Sequence, residues 1–264
     1  MKKHIIGILF YTIFIELLNA QPTVWLERSG PTQLYNVNSM VITSDNVLIA
    51  FGFGKIARST DGGNNWLPVQ LYDAPPGTLI SLTQLTSFNN EIYAATYNKG
   101  VYKSVDGGIN WIKMNNGLLD SDLYSIYASS EGVLFTGTMA GKIYKSIDHG
   151  GSWVSLNAVS GDAITTISDE INGNIFIGNY YGIYRSTDKG TVWKKCDSSI
   201  TNVYEIKIHS NGSIFVGASN GVFRSTDHGE TWKSLLSSAE AVRTISIAKD
   251  NSILLGKARV CLNQ

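Results

Sequence analysis

Four aspartates, Asp73, Asp120, Asp122 and Asp162, have the type and placement that chemistry would require. Two carboxylates facing each other across a cleft, about 5 to 10 Å apart, hydrolyse glycosides: one moves a proton while the other attacks or activates water. Asp120 and Asp122 share one short loop, so as a pair they read better as turn residues. A second set suits binding. Phe53, Tyr97, Asn98, Tyr180 and Tyr181 bring aromatic faces and an amide that stack on a sugar or anchor a partner protein, with Arg243 as a positioning cation.

A third set stands out by repetition. RSTDGGNNW (58–66) returns as KSVDGGINW (103–111), KSIDHGGSW (145–153), RSTDKGTVW (185–193) and RSTDHGETW (224–232), with aspartates 45, 42, 40 and 39 residues apart. An active site needs one asymmetric constellation, and these residues occur five times. Asp61, Asp106, Asp148, Asp188 and Asp227 therefore read as turn residues that accept backbone hydrogen bonds. The glycine two positions on supplies a positive φ. Trp66, Trp111, Trp153, Trp193 and Trp232 read as covers between neighbouring sheets, each with an indole N–H in need of a partner.

The elements that carry these residues recur with the same period. In the third unit LYSIYAS (123–129), VLFTGT (133–138), KIYKS (142–146) and SWVSL (152–156) are four strand-length runs broken by Gly, Asn, Asp and Ser. Four antiparallel strands every 40 or so residues make one blade of an all-β propeller. A column of small residues in the second strand, Ala50, Ala95, Gly137, Gly178, Gly217 and Gly256, gives six units and predicts close approach between blades. The sixth unit lacks a box and stops in RVCLNQ (259–264). Val24–Arg28, with Trp25 in the place of the box tryptophan, is expected to complete it and close a six-bladed ring, removing a free sheet edge.

The repeated motif is the Asp-box, or BNR, repeat, and residues 21–264 resemble the Asp-box propellers: bacterial sialidases, xyloglucan-active glycoside hydrolases, sortilin-type receptor ectodomains and the photosystem II assembly factor family. The resemblance implies the fold and a structural box. It does not select an activity, because those families use one architecture differently. Sialidases grip a substrate carboxylate with an arginine cluster. Here Arg58, Arg185 and Arg224 are box residues, and only Arg243 begins an inner strand. The xyloglucan enzymes pair two propellers around a cleft, against one here. The resulting expectation is a non-catalytic module binding a protein or glycan on its loop face, with assembly work implied by the photosystem relatives. A glycoside hydrolase using loop-face carboxylates is the alternative.

Bulk properties narrow the classes. Twenty-one basic residues balance 21 acidic ones over 264 residues, which gives no support to field-driven binding of nucleic acid. Cys196 and Cys261 alone make no disulfide framework. No cofactor or metal is expected: His149 and His228 fill a variable box position and read as solvated turn residues, and His209 as a strand residue. Lys2, Lys3 and an apolar run before Ala20 read as an export signal over 1–20, leaving 21–264 as one monomeric domain, secreted or attached to the envelope.

Overall fold

The computed structural model describes residues 14–18, 37–52, 55–73, 78–159, 161–170, 172–237, 240–247 and 252–257. Among them there is no helix, and hence none long and apolar enough to cross a membrane. Blade one is β2 (Ser39–Ile42), β3 (Leu48–Gly52), β4 (Lys55–Ser59) and β5 (Leu67–Val69), preceded by β1 (Phe14–Leu18). A two-stranded ribbon, β6 (Tyr72–Asp73) and β7 (Thr78–Leu79), leads into blade two: β8 (Leu82–Phe88), β9 (Glu91–Thr96), β10 (Gly100–Ser104) and β11 (Ile112–Lys113). Blade three is β12 (Leu123–Ala128), β13 (Leu134–Thr138), β14 (Ile143–Ser146) and β15 (Val154–Leu156). Blade four is β16 (Thr166–Asp169), β17 (Ile175–Asn179), β18 (Gly182–Ser186) and β19 (Lys194–Asp197). Blade five is β20 (Val203–Ile208), β21 (Ile214–Ala218), β22 (Gly221–Ser225) and β23 (Lys233–Ser237), and blade six holds β24 (Val242–Ile247) and β25 (Ile253–Lys257). Each blade is an antiparallel meander, and the inner strands β2, β8, β12, β16, β20 and β24 pack each against the next.

An N-terminal strand does join the sixth sheet, but it is β1, paired antiparallel to β25 in the place of a third strand. It lies inside the stretch read as an export signal. Val24–Arg28 and Arg259–Gln264, the segments expected there, fall outside the described residues. At the other end of the series Met40 and Ile42 are 53% and 56% exposed. The residues in register with Met40, namely Leu85, Ile126, Ile167, Ile206 and Ile245, are buried.

The small-residue column packs as its composition requires. A Cβ added to Gly137 would lie 2.4 Å from Ile164 Cβ, one on Gly178 2.4 Å from Val203 Cγ1, and one on Gly217 2.7 Å from the Val242 carbonyl oxygen. Val203 and Val242 begin the inner strand of the following blade, and Ile164 lies two residues before it. In blade one the slot belongs to Phe51 rather than Ala50, because Phe51 pairs with Ile56 as Ala95 does with Val101 and Gly137 with Ile143. Phe51 is buried against Ile80 and Leu82.

Inner strands are sheet edges, and their unpaired N–H groups would be costly if buried. Polar side chains of the preceding blade accept them: Leu85 N–H to Ser39 Oγ at 3.1 Å, Ile126 N–H to Gln84 Oε1 at 2.8 Å, Ala128 N–H to Thr86 Oγ1 at 3.1 Å and Ile206 N–H to Thr166 Oγ1 at 3.3 Å. The inner strands thus hold polar residues facing one neighbour and apolar ones facing the other.

Every box closes in the same way. The serine hydroxyl ends the third strand, donates to the aspartate at 2.7 or 2.8 Å, and accepts the N–H of the box glycine at 2.8 or 2.9 Å. The aspartate also accepts the N–H four residues on, at 2.8 or 2.9 Å. Those bonds, led by the Asn65 N–H for Asp61, the Ser152 hydroxyl for Asp148 and the Thr231 hydroxyl for Asp227, hold all three carboxyls at about 2. A carboxyl depressed in the folded state stabilises it above the unfolded pKa, near 4, and that contribution is lost as pH falls toward 2. Acid titration followed by tryptophan fluorescence is expected to show unfolding over that window, with a shallower dependence in Asp227→Asn. An unchanged slope would count against the box as the acid-labile element.

Candidate functional site

Hydrogen bonds between loops fix which residues share a face. Met139 N–H donates to the Asp122 carbonyl at 2.9 Å, Gly100 N–H to Ser121 at 3.1 Å, Asn202 N–H to Tyr180 at 2.9 Å and Ser219 N–H to Asn202 at 3.1 Å. The loops joining strands two and three therefore lie with the blade-to-blade connections. At the other end, boxes meet the loops joining strands one and two: His149 Nδ1 lies 2.8 Å from Glu91, and His228 Nδ1 2.8 Å from Glu170.

On the loop face four of the six inner strands begin with a bulge. Register slips between Leu82 and Gln84, Leu123 and Ser125, Val203 and Glu205, and Val242 and Thr244. A bulge leaves one residue unpaired and re-aims its side chain. The extra residues are Thr83, Tyr124, Tyr204 and Arg243, so three of the four bulges, in blades three, five and six, carry large side chains with polar tips. Tyr124 Oη is 3.4 Å from Tyr180 Oη, which comes from the strand two to three loop of blade four. The Arg243 guanidinium lies 4.8 Å from the Tyr204 ring centroid, a cation–π stack. Burial pushes the Tyr124 phenol up to about 12, Tyr180 adds to this, and Arg243 opposes it. The Tyr124 phenol is therefore a neutral donor at ordinary pH, beside the permanent cation of Arg243.

Tyr180 and Tyr181 are exposed, and Tyr97 is 48% exposed on the same face. Asn98 has φ 59° and serves its turn. The Tyr181 and Gly182 N–H groups both donate to the buried Asn179 Oδ1, at 2.9 and 3.0 Å, which holds Tyr180 and Tyr181 outward. Phe53 lies outside the described residues, and Asp73 is placed only by its backbone, in β6. Asp120 accepts the Asp122 N–H at 3.1 Å and stands 3.4 Å from Lys142 Nζ, while Asp162 accepts the Ala163 N–H at 2.9 Å. Those two carboxylates are engaged in their own turns.

Sequence reasoning missed Tyr204. The signal was present in LYSI, VYEI and VRTI: apolar residues three apart, where strict alternation would set them two apart, mark the bulge. Of the histidines it misplaced only His209. His149 and His228 do occupy box turns, with φ 55° and 57°, but each reaches back to a glutamate of an earlier blade. His209 lies in a turn after β20, where its Nδ1 accepts the Asn211 N–H at 3.0 Å. Among the described residues no group of three or more His, Cys, Asp or Glu is placed to hold a metal ion.

The sequence model of the photosynthesis system II assembly factor YCF48 family matches residues 23–262. The chain belongs to this family. No curated protein matches it. Among solved structures it is similar to YCF48 bound to D1 peptide, at 16% identity and TM-score 0.67, covering 93% of this chain and 97% of that one. It is also similar to the extracellular domain of the hybrid two component system BT3049 of B. thetaiotaomicron, at 18% identity and TM-score 0.72, covering 88% of this chain and 34% of that one. A third likeness is to the GH74 enzyme of Niastella koreensis, at 18% identity and TM-score 0.54, covering 77% and 32%. The chain thus spans about a third of the BT3049 domain and of the GH74 enzyme. At these identities the structures share the propeller fold, and the YCF48 family is set by the match along the sequence.

Proposed function

We propose that this chain is a non-catalytic propeller that binds a segment of another protein at the loop-face mouth formed by Tyr124, Tyr180, Tyr204 and Arg243. The observation that carries the reading is the set of bulges in blades three, five and six, which puts Tyr124 against Tyr180 of blade four and Arg243 on the Tyr204 ring, both close enough to Tyr124 to act on its phenol. Aromatic rings and arginine are the side chains that dominate protein interfaces, and the arginine offers a fork for a carboxylate. A family relative has been seen with a bound peptide, that of YCF48 with D1 peptide, and this supports the same mode here.

Calorimetric titration with extended synthetic peptides, the D1 peptide among them, tests it. Arg243→Ala and the Tyr124→Ala/Tyr180→Ala double variant are each expected to weaken binding about tenfold or more. Unchanged affinity in both would refute the mouth as the site. Hydrolysis of a polysaccharide panel that disappears in Asp120→Asn would favour the glycosidase alternative instead.

We further propose that the chain is exported. Removal of 1–20 would take β1 with it and leave the β25 edge open to another strand. N-terminal sequencing of exported protein is expected to begin at Gln21, and a chain retaining Phe14–Leu18 would overturn the proposal.

A further inference from the structure

The box face holds a recess that the mouth does not account for. A cavity of about 830 Å³ opens where blades three, four and five meet on that side. Its wall depends on one departure from the repeat. The residue in register with Asp169 of blade four is Ile42, Ser87, Ala128, Ile208 and Ile247 in the other blades, so only blade four puts a carboxylate there. An isolated carboxylate in a part-buried position costs free energy that an apolar residue would not. Asp169 has one short hydrogen bond to a side chain, the Tyr127 hydroxyl donating at 3.0 Å from the preceding blade. Burial, with Glu131 nearby, pushes the Asp169 carboxyl above its usual range, against the opposing effect of Tyr127.

The charges around the cavity indicate what it could hold. Glu131, Asp169 and Glu170 face Lys145, Lys189 and Lys207, so an ion of either sign would meet like charge as well as opposite charge. Glu170 is already committed, accepting from Asn174 Nδ2 at 2.7 Å and lying 2.8 Å from His228 Nδ1. Lys207 lies 3.1 Å from Glu205, and Lys145 covers the Phe135 ring at 5.5 Å. What remains is the Asp169 and Glu131 carboxylates, the Lys189 ammonium and the stacked rings of Tyr127 and Phe135, whose centroids are 6.5 Å apart. Carboxylates accept from hydroxyl pairs, lysines donate to them, and aromatic surface covers C–H faces. We propose that this recess binds a neutral saccharide unit, with Asp169 and Glu131 as acceptors.

The test is saturation-transfer NMR and calorimetry on the full chain with glucose, galactose, xylose, N-acetylglucosamine and cellobiose, alongside inorganic phosphate and lysine amide. At least one neutral sugar is expected to bind in the millimolar range. Asp169→Asn should weaken it about tenfold, the loss of one charge-assisted hydrogen bond. Glu131→Gln, at an exposed residue whose replacement leaves the fold intact, should weaken it in the same direction, and Tyr180→Ala on the opposite face should not. The proposal is overturned by no sugar binding, by binding indifferent to both acidic substitutions, by binding lost in Tyr180→Ala, or by preference for phosphate or lysine amide.

Discussion

Trp153→Ala is expected to destabilise the protein by about 3–5 kcal/mol, the range for removing a fully buried large aromatic side chain. Trp153 is 3% exposed, whereas the four other box tryptophans are only half-buried. The difference lies in the connection from blade two to blade three, which folds over the indole. Trp153 Nε1 donates to the Met114 carbonyl at 2.8 Å, and its backbone N–H donates to Asn116 at 2.8 Å. The loop leaves no slack, since a Cβ on Gly117 would lie 2.3 Å from the Trp153 carbonyl oxygen. By contrast Trp66, Trp111 and Trp232 donate to glycine carbonyls of their own boxes. Trp153→Phe keeps most of the packing and leaves the Met114 carbonyl without its donor, so it should cost about 1–3 kcal/mol. Urea unfolding of both variants and of Trp111→Ala measures this. Equal losses for Trp153→Ala and Trp111→Ala would mean that the covering loop adds nothing.

The fold was legible because each repeat tests the reading of the others. Five serines, aspartates, glycines and tryptophans at constant spacing announce one hairpin, and the same hairpin is what the five boxes form. Legibility failed where a residue's partner lies in another blade. Nothing local to KSIDHGGSW says that His149 will meet Glu91, 58 positions earlier, or that Arg58 will donate to the Gly107 carbonyl at 2.7 Å in the next blade. The slip between Ala50 and Phe51 has a similar origin, because only pairing with β4 shows which residue lies opposite Ile56. The mouth was half legible. Tyr97, Tyr180 and Tyr181 stood out as departures in loops, and Arg243 as the arginine that begins an inner strand, while Tyr204 lay concealed in a bulge.

Gly178→Val should be strongly destabilising, although it alters a residue with no side chain of its own. The added Cβ alone would sit 2.4 Å from Val203 Cγ1, 2.7 Å from Thr166 Cγ2 and 2.9 Å from Val203 Cβ, and valine brings two further carbons. Gly178 is not in the positive-φ set, so the cost is steric rather than conformational. Inserting even one methyl group into a packed interior costs about 1–3 kcal/mol, so Gly178→Ala should fall in that range and Gly178→Val beyond it. The neighbours cannot yield easily: Thr166 is held by its pairing to Gly178 itself, and Val203 is fully buried at the start of β20. Gly161→Ala is the matched control, since a Cβ there meets nothing within 4 Å. Val203→Ala makes room, so the Gly178→Ala/Val203→Ala double variant should lose less than the sum of the single losses. Strict additivity in that cycle would place the strain somewhere other than the contact between blades four and five. It would also remove the reason for a small residue at this position in successive blades.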